Sequence, residues 1–302
     1  MSTYNQKNEF TGVWFIIGAA MLWGTTGTSQ GLAPVEANPL TIGAARLAVG
    51  GLVLLLFSFF RGSFRKEGDW SVPLVGISAF FVAAYQLCFF SGVAQTGVAV
   101  GTMVAIGSAP VFAGILGYVV RKERLGIIWG LSTLMAVAGC LLLVSPGKGL
   151  HADFNGIILA AGAGFSYAGY TVTMKGLLEK CAADAVVALV FSLAAVLLVP
   201  FLLFYDASWI FSSGGLLVAL HLGVMTTAVS YWLFAKGLKN VNVGTAATLS
   251  LAEPLTATCL GIAILHERLM VMELFGMGLL FSGIILLVAG PALLPRKTKR
   301  AN

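Results

Sequence analysis

Apolar residues run along this chain in blocks of about twenty, and the charged residues gather in short intervals between them. A block of that length is what a helix needs to cross the hydrocarbon core of a bilayer. Ten spans are predicted, at roughly 12–33, 40–60, 72–92, 98–120, 125–145, 156–176, 185–205, 214–236, 243–265 and 272–294. The stretch from Ser71 to Val120 carries no charge and is too long for one helix. Its break is expected between Gly92 and Gly97, because clustered Gly punctuates helices. All connections are short, which leaves no room for a separate soluble domain. The first apolar run continues past twenty residues without an A-x-A cleavage pattern, so the first span is expected to be retained.

Composition agrees with this pattern and adds orientation. Of 302 residues 58% are hydrophobic and only 10% charged, with a mean hydropathy of +0.94; such a chain cannot clothe itself in a charged surface. The expected class is an all-α integral membrane protein. A net charge of +6 suggests nucleic acid at first sight, but the basic residues sit in short clusters between spans, where they act as topology signals. With the N-terminus inside, 15 of the 18 Lys and Arg fall on one side, among them Arg61, Arg121, Lys122, Arg124, Lys175, Lys180, Lys236 and Lys239. Both termini are therefore expected in the cytoplasm of a multi-pass cell-membrane protein. Cys88, Cys140, Cys181 and Cys259 show neither disulfide nor zinc spacing.

The chain repeats itself at an offset of 144 residues. Phe10 and Gly12 match Phe154 and Gly156; Pro110, Gly117, Glu123, Arg124, Leu125 and Gly139 match Pro254, Gly261, Glu267, Arg268, Leu269 and Gly283. Each half, 1–149 and 150–302, holds five spans, an odd number, so the halves cross the membrane in opposite senses. Inverted repeats around a midplane site are a recurring plan of secondary transporters. The A-x-L-W-G motif at Ala20–Gly24, the Arg of GAARLAVGG and the paired P-x12-ERL segments together resemble the ten-helix EamA-type transporters of the drug/metabolite transporter superfamily. The resemblance runs from Gly12 to Pro291. It implies a secondary transporter, with export of amino acids, amines or other small metabolites as the general role.

Candidate chemistry centres on Glu253, a lone carboxylate in a run otherwise apolar from Val243 to Leu265. An acid there faces a cavity or a partner and often marks the transport pathway. It lies ten residues into its helix, about 15 Å at 1.5 Å per residue, near the bilayer centre. Its repeat equivalent is Ala109, so the acid is not part of the shared architecture. Expected roles are binding a cationic or zwitterionic amine, a coupling proton, or both in competition. The alternative is a carboxylic acid bonded to a freed backbone carbonyl or a Tyr.

Six aromatics with polar tips lie well inside the spans: Trp23, Tyr85, Tyr167, Tyr170, Tyr231 and Trp232. Around a carboxylate such rings form a cage for an ammonium group, and Trp23 and Tyr167 are repeat equivalents. Trp23, Tyr85 and Tyr167 are preferred for the site, with Tyr170 and Tyr231 as further candidates, while ordinary core packing accounts for about half of the six. Pro110 and Pro254 free the carbonyls of Ile106 and Ser250 and predict a kink or break in each helix. Glu123 with Arg124, and Glu267 with Arg268, read as local ion pairs and gate candidates at opposite membrane faces. Arg46 is expected to snorkel to the external interface, the alternative being a contact with a substrate carboxylate. The G-x-x-x-G pairs Gly27/Gly31, Gly97/Gly101 and Gly126/Gly130 allow close helix approach or a homodimer.

Enzyme readings lack their chemistry. No P-loop, G-x-S-x-G or H-E-x-x-H motif is present, Met270 occupying the second histidine position. No pair of midplane acids is placed to hold a metal, and no cofactor is implied. A channel would need rings of like residues in an oligomer, whereas this chain has internal pseudosymmetry and one acid. The partners expected are a small-molecule substrate, a coupling proton and the bilayer.

Overall fold

The computed structural model describes residues 3–31, 34, 38–65, 68–143, 153–265 and 270–293. Within them the chain forms ten long helices: α1 (Thr3–Gly31), α2 (Pro39–Phe60), α3 (Val72–Thr96), α4 (Val98–Arg121), α5 (Ile127–Leu143), α6 (Phe154–Leu178) and α7 (Ala183–Phe204), then α8 (Ser213–Leu238), α9 (Val243–Leu265) and α10 (Val271–Leu293). Nine of the ten contain long apolar spans, and α5 is a shorter apolar helix of 17 residues, at the lower limit for crossing. There is no strand among the described residues.

Local chemistry sets the ends. Asn38 accepts the Leu40 N–H, with Pro39 as the first helical residue of α2, where a missing N–H costs nothing. Asp153 caps α6 through the Asn155 N–H, and Ser212 caps α8 through the Gly215 N–H. The charge-free stretch is divided at Gly97, whose φ of +82° suits a residue without a Cβ. At the end of α4, Lys122 turns left-handed at φ 57° and the Glu123 N–H returns to the Gly117 carbonyl. That closure carries the Glu123 side chain beneath the bundle.

The packing carries the repeat into three dimensions. α1 lies against α8 and α9 of the second half, and α6 lies against α3 and α4 of the first. Exchanging each helix with the one five later turns one set of contacts into the other. The self-paired contacts, α2 with α7 and α5 with α10, are the ones a pseudo-two-fold axis maps onto themselves. The chain is thus two inverted five-helix repeats, interlocked because each gives up its first helix to the other. Close crossings use Gly: a Cβ at Gly12 would lie 2.9 Å from the Gly237 carbonyl, and one at Gly92 would lie 3.1 Å from the Gly156 carbonyl. Of the G-x-x-x-G residues, Gly27, Gly126 and Gly130 have open space where a Cβ would stand, whereas a Cβ at Gly101 would lie 2.8 Å from the Val93 Cα of α3. Large apolar side chains such as Phe59, Phe60 and Phe204 point outward, the arrangement expected where lipid is the solvent.

Two helices depart from the α form. In α8 the segment His221–Val229 is π-helical, a form that accommodates an inserted residue and recurs at functional sites. Gly237, which takes the place of Gly92 at its crossing, lies one residue off the 144 register. In α9, helix Val243–Leu249 stops, Ser250 and Leu251 turn, and helix Ala252–Leu265 begins. The turn lies just before Pro254. The Pro ring supplies no N–H to the Ser250 carbonyl, which takes the Glu253 N–H instead. No such interruption occurs at Pro110: α4 runs unbroken through it, held along its length by α6.

Candidate functional site

The break in α9 places Glu253 in the first turn of a 14-residue helix, where the dipole favours a negative charge. Its side chain faces an internal cavity lined by Trp23 from α1, Tyr85 from α3, Ile106 and Ala109 from α4, Tyr167 from α6, and Ser250 of α9. Three repeat-related pairs meet there: Trp23 with Tyr167, Ile106 with Ser250, and Ala109 with Glu253. The cavity therefore lies on the pseudo-two-fold axis, built symmetrically in position and asymmetrically in chemistry. Its volume is about 30 Å³, a single water's share of liquid volume.

Polar groups around the cavity divide into those with partners and those without. The Tyr167 hydroxyl meets the Ser250 hydroxyl at 2.8 Å, and the Ser250 hydroxyl also donates to the Ala246 carbonyl at 3.0 Å. The Trp23 indole N–H is buried with no acceptor. The Glu253 carboxylate has no hydrogen bond or ion pair among the described residues, so the freed-carbonyl and Tyr partners considered from sequence do not take it up. Trp23 and Tyr167 meet edge to face at 6.3 Å, and Tyr85 lies 6.3 Å from Tyr167.

Two of the aromatic candidates stand elsewhere. Tyr170 is 2% exposed and packs against Phe191 and Phe234. Tyr231 packs on Trp23 at 4.9 Å and on Phe191 at 4.3 Å. Both back the cavity wall without lining it, because α6 and α8 turn these positions toward α7. Trp232 leaves the site altogether and donates to Asp184.

Arg46 does not snorkel. Its residue is 7% exposed, with Nε donating to the Thr227 hydroxyl and Nη2 to the Thr226 carbonyl, both at 3.2 Å. Packing of α2 against the π-helical segment captures the guanidinium before it reaches an interface. His221, at the start of that segment, meets the Thr25 hydroxyl at 2.9 Å.

The end rich in Lys and Arg is tied by charge. Glu123 accepts the Val243 N–H at 2.7 Å and pairs with Lys175 at 3.3 Å and Arg121 at 3.8 Å. Lys175 also donates to the Val241 carbonyl, and Arg121 pairs with Glu179. One carboxylate of the first half thereby caps the first piece of α9 and holds the end of α6. Arg124 has no part in this; it is exposed and forms no ion pair among the described residues, because the left-handed turn at Lys122 sends it outward. Glu267 and Arg268 lie outside the described residues. Outside the spans, Lys180 hydrogen-bonds Asp69, and its ammonium holds that exposed carboxyl below the ordinary range.

A second anchor at the same end is absent from the reading of the sequence. Asp184, 4% exposed, accepts from Trp232 at 2.8 Å and Lys236 at 2.9 Å, and receives Ser63 at 3.3 Å with Arg61 at 3.8 Å. It joins α2, α7 and α8. The available signal was a lone acid opening an apolar span on the side where Arg61 and Lys236 end theirs. Among the described residues, every ion pair lies at this end.

Comparison with known proteins follows the same lines. The sequence profile of the EamA-like transporter family matches the chain twice, over residues 10–145 and 154–289, in phase with the 144-residue offset. The uncharacterized transporter YwfM of Bacillus subtilis (strain 168) is 43% identical over 95% of this chain and 96% of its own. The threonine/homoserine exporter RhtA of Escherichia coli (strain K12) is 28% identical over 94% of this chain and 92% of its own. A solved crystal structure shares the fold with a TM-score of 0.79 at 21% identity, covering 95% of this chain and 98% of that one.

Proposed function

Because the chain belongs to the EamA-like transporter family, and is thereby a multi-pass membrane transporter, we propose that it exports a small amine or amino acid by alternating access at the cavity beneath Glu253. The observation that carries this reading is a half-buried carboxylate with no partner among the described residues, opening on a cavity at the pseudo-two-fold axis. An acid without a counter-ion at membrane depth is costly, and an ammonium group or a proton relieves it. Trp23, Tyr85 and Tyr167 supply π faces suited to a cation. Export of threonine and homoserine by a relative of nearly full coverage is consistent with a substrate bearing an ammonium group.

Transport on this reading requires the two halves, 1–149 and 150–302, to rock about the axis on which the cavity lies. The Glu123 and Asp184 networks close the Lys- and Arg-rich end, which the positive-inside rule assigns to the cytoplasm together with both termini. A cavity of about 30 Å³ holds no amino acid, so loading requires the side chains at the axis to part. A coupling proton competes with the ammonium group for Glu253. Purified protein in liposomes tests the reading: saturable counterflow of an amino acid or amine, abolished in Glu253→Gln, is the expected result. Ohmic current without counterflow, or unchanged counterflow in the variant, overturns it.

A further inference from the structure

A second cavity, of about 610 Å³ against about 30 Å³ at the axis, opens between α4 and α5. It exists because the two helices have other partners: α4 packs along α6, and α5 along α10. Gly114 and Gly130 line it, and at Gly130 there is open space where a Cβ would stand. The Trp129 ring forms the floor, reaching Gly114 of α4 on one edge and Gly244 of α9 on the other. Val111, Ile115, Leu134 and Val137 make the walls, and the first three of these are exposed on the outer face of the bundle. The Thr133 hydroxyl is spent: it donates to the Thr248 hydroxyl at 2.8 Å, whose own proton goes to the Gly244 carbonyl at 3.0 Å. Along most of its length the groove therefore offers an occupant apolar surface.

The depth of the groove selects that occupant. It begins at Glu123 and ends at Val111 and Val137, which lie ten residues before the end of α4 and ten after the start of α5. At 1.5 Å per residue this is about 15 Å, half of a hydrocarbon core of about 30 Å. A helix from a second copy would cross both leaflets, whereas an acyl chain ends at the middle, as the groove does. Charge at the mouth selects the headgroup. Residues 122–126 are not helical; Glu123 and Leu125 turn into the groove, while Lys122 and Arg124 are exposed and form no ion pair among the described residues. The Glu123 carboxylate is already held by Lys175, Arg121 and the Val243 N–H, so the free charge at the mouth is positive. Tyr118, exposed one turn from the mouth, puts a ring at the interface level, where Tyr is favoured.

We propose that an anionic phospholipid, from the leaflet at the Lys- and Arg-rich end, seats an acyl chain between α4 and α5 and its phosphate on Lys122 and Arg124. This site is separate from the transport cavity and independent of the solute taken there. Glu123 lines the groove and caps the first piece of α9, so a seated lipid braces the contact that ties the two halves at this end.

The test uses purified protein stripped of lipid in detergent and titrated with dioleoyl phosphatidylglycerol or dioleoyl phosphatidylcholine, the rise of the thermal midpoint giving the apparent affinity. Phosphatidylglycerol is expected to act at a concentration at least about tenfold lower, each cation near an anionic headgroup contributing about fivefold. Lys122→Asn combined with Arg124→Gln is expected to bring phosphatidylglycerol to the level of phosphatidylcholine, Asn being chosen because it tolerates the positive φ of that position. Gly130→Leu, which fills the open space, is expected to keep the lipid-free midpoint and abolish the rise with either lipid. If Gly130→Leu fails to fold, the phosphatidylglycerol preference with and without the two cations decides. Equal action of the two lipids on the wild type overturns the proposal, as does a preference that survives the charge variant or Gly130→Leu. A dimer in lipid-free detergent that Gly130→Leu dissociates also overturns it, and gives the groove to a second copy of the chain.

Discussion

Two acids of the helical spans are treated in opposite ways, and the contrast is what the proposed role of Glu253 is built on. Asp184 is saturated by hydrogen bonds and ion pairs from α2, α7 and α8. Removing its charge leaves Lys236 and Arg61 without a counter-ion, and Asp184→Asn is expected to cost about 1–3 kcal/mol, read as a lower midpoint of thermal unfolding in detergent. Glu253 loses no partner among the described residues when it becomes Gln, because none is made there. Glu253→Gln is therefore expected to melt at or above the wild-type temperature while counterflow of amine-bearing solutes falls by at least about tenfold. A melting temperature that falls together with transport would return Glu253 to a structural role. The sequence marked Glu253 because an acid in an apolar run stands out and Ala109 breaks the repeat. It did not mark Asp184, which looks like an ordinary helix-start acid until three helices converge on it.

Helix crossings decide which small residues matter, and the pattern along the chain does not reveal them. Gly24 and Gly27 lie one turn apart on α1 and read alike. A Cβ at Gly24 would stand 2.7 Å from the Thr256 Cβ and 2.8 Å from the Glu253 carbonyl, whereas one at Gly27 meets nothing within 4 Å. Gly24→Ala is expected to destabilise by about 1–3 kcal/mol through overpacking and to slow counterflow, since the atom it strikes belongs to the turn that carries Glu253. Gly27→Ala is expected to be neutral or stabilising by a few tenths of a kcal/mol. Equal melting temperatures for the two variants would show that α1 and α9 do not cross at Gly24. The same limit explains other gaps. Ten spans, the Gly97 division and the repeat were legible because hydropathy, Gly and sequence identity are one-dimensional signals. Pro110 and Pro254 were indistinguishable in sequence, yet only α9 is interrupted, with Ser250 bonded to Tyr167 beside the turn. Arg46 looked free to reach an interface because nothing in its own helix announces the two Thr of α8. The π-helical segment that presents them has no sequence signature of comparable strength.

Closure of the molecule at one end follows from where its charges lie. All ion pairs among the described residues gather at the Lys- and Arg-rich end, and Glu123 there crosses from one half to the other to cap α9 and pair with Lys175. An axis site reached alternately from two sides needs that end to open, so these contacts must be individually modest and collectively breakable. Removing Glu123 leaves the Val243 N–H and Lys175 without their shared acceptor, which biases the chain toward the form open at this end. In a variant lacking the four native cysteines, Ala109→Cys reports on the cavity it lines. An impermeant thiol reagent applied from the Lys- and Arg-rich face is expected to label it several-fold faster when Glu123→Ala is added. The same background fixes the orientation: Asp206→Cys is expected to react in intact cells and Glu179→Cys only in inverted vesicles, as positive-inside placement requires. Labelling of Ala109→Cys that ignores Glu123 would show that the latch lies elsewhere. The Asp184 network, which binds α2, α7 and α8 at the same end, would then be the place to cut next.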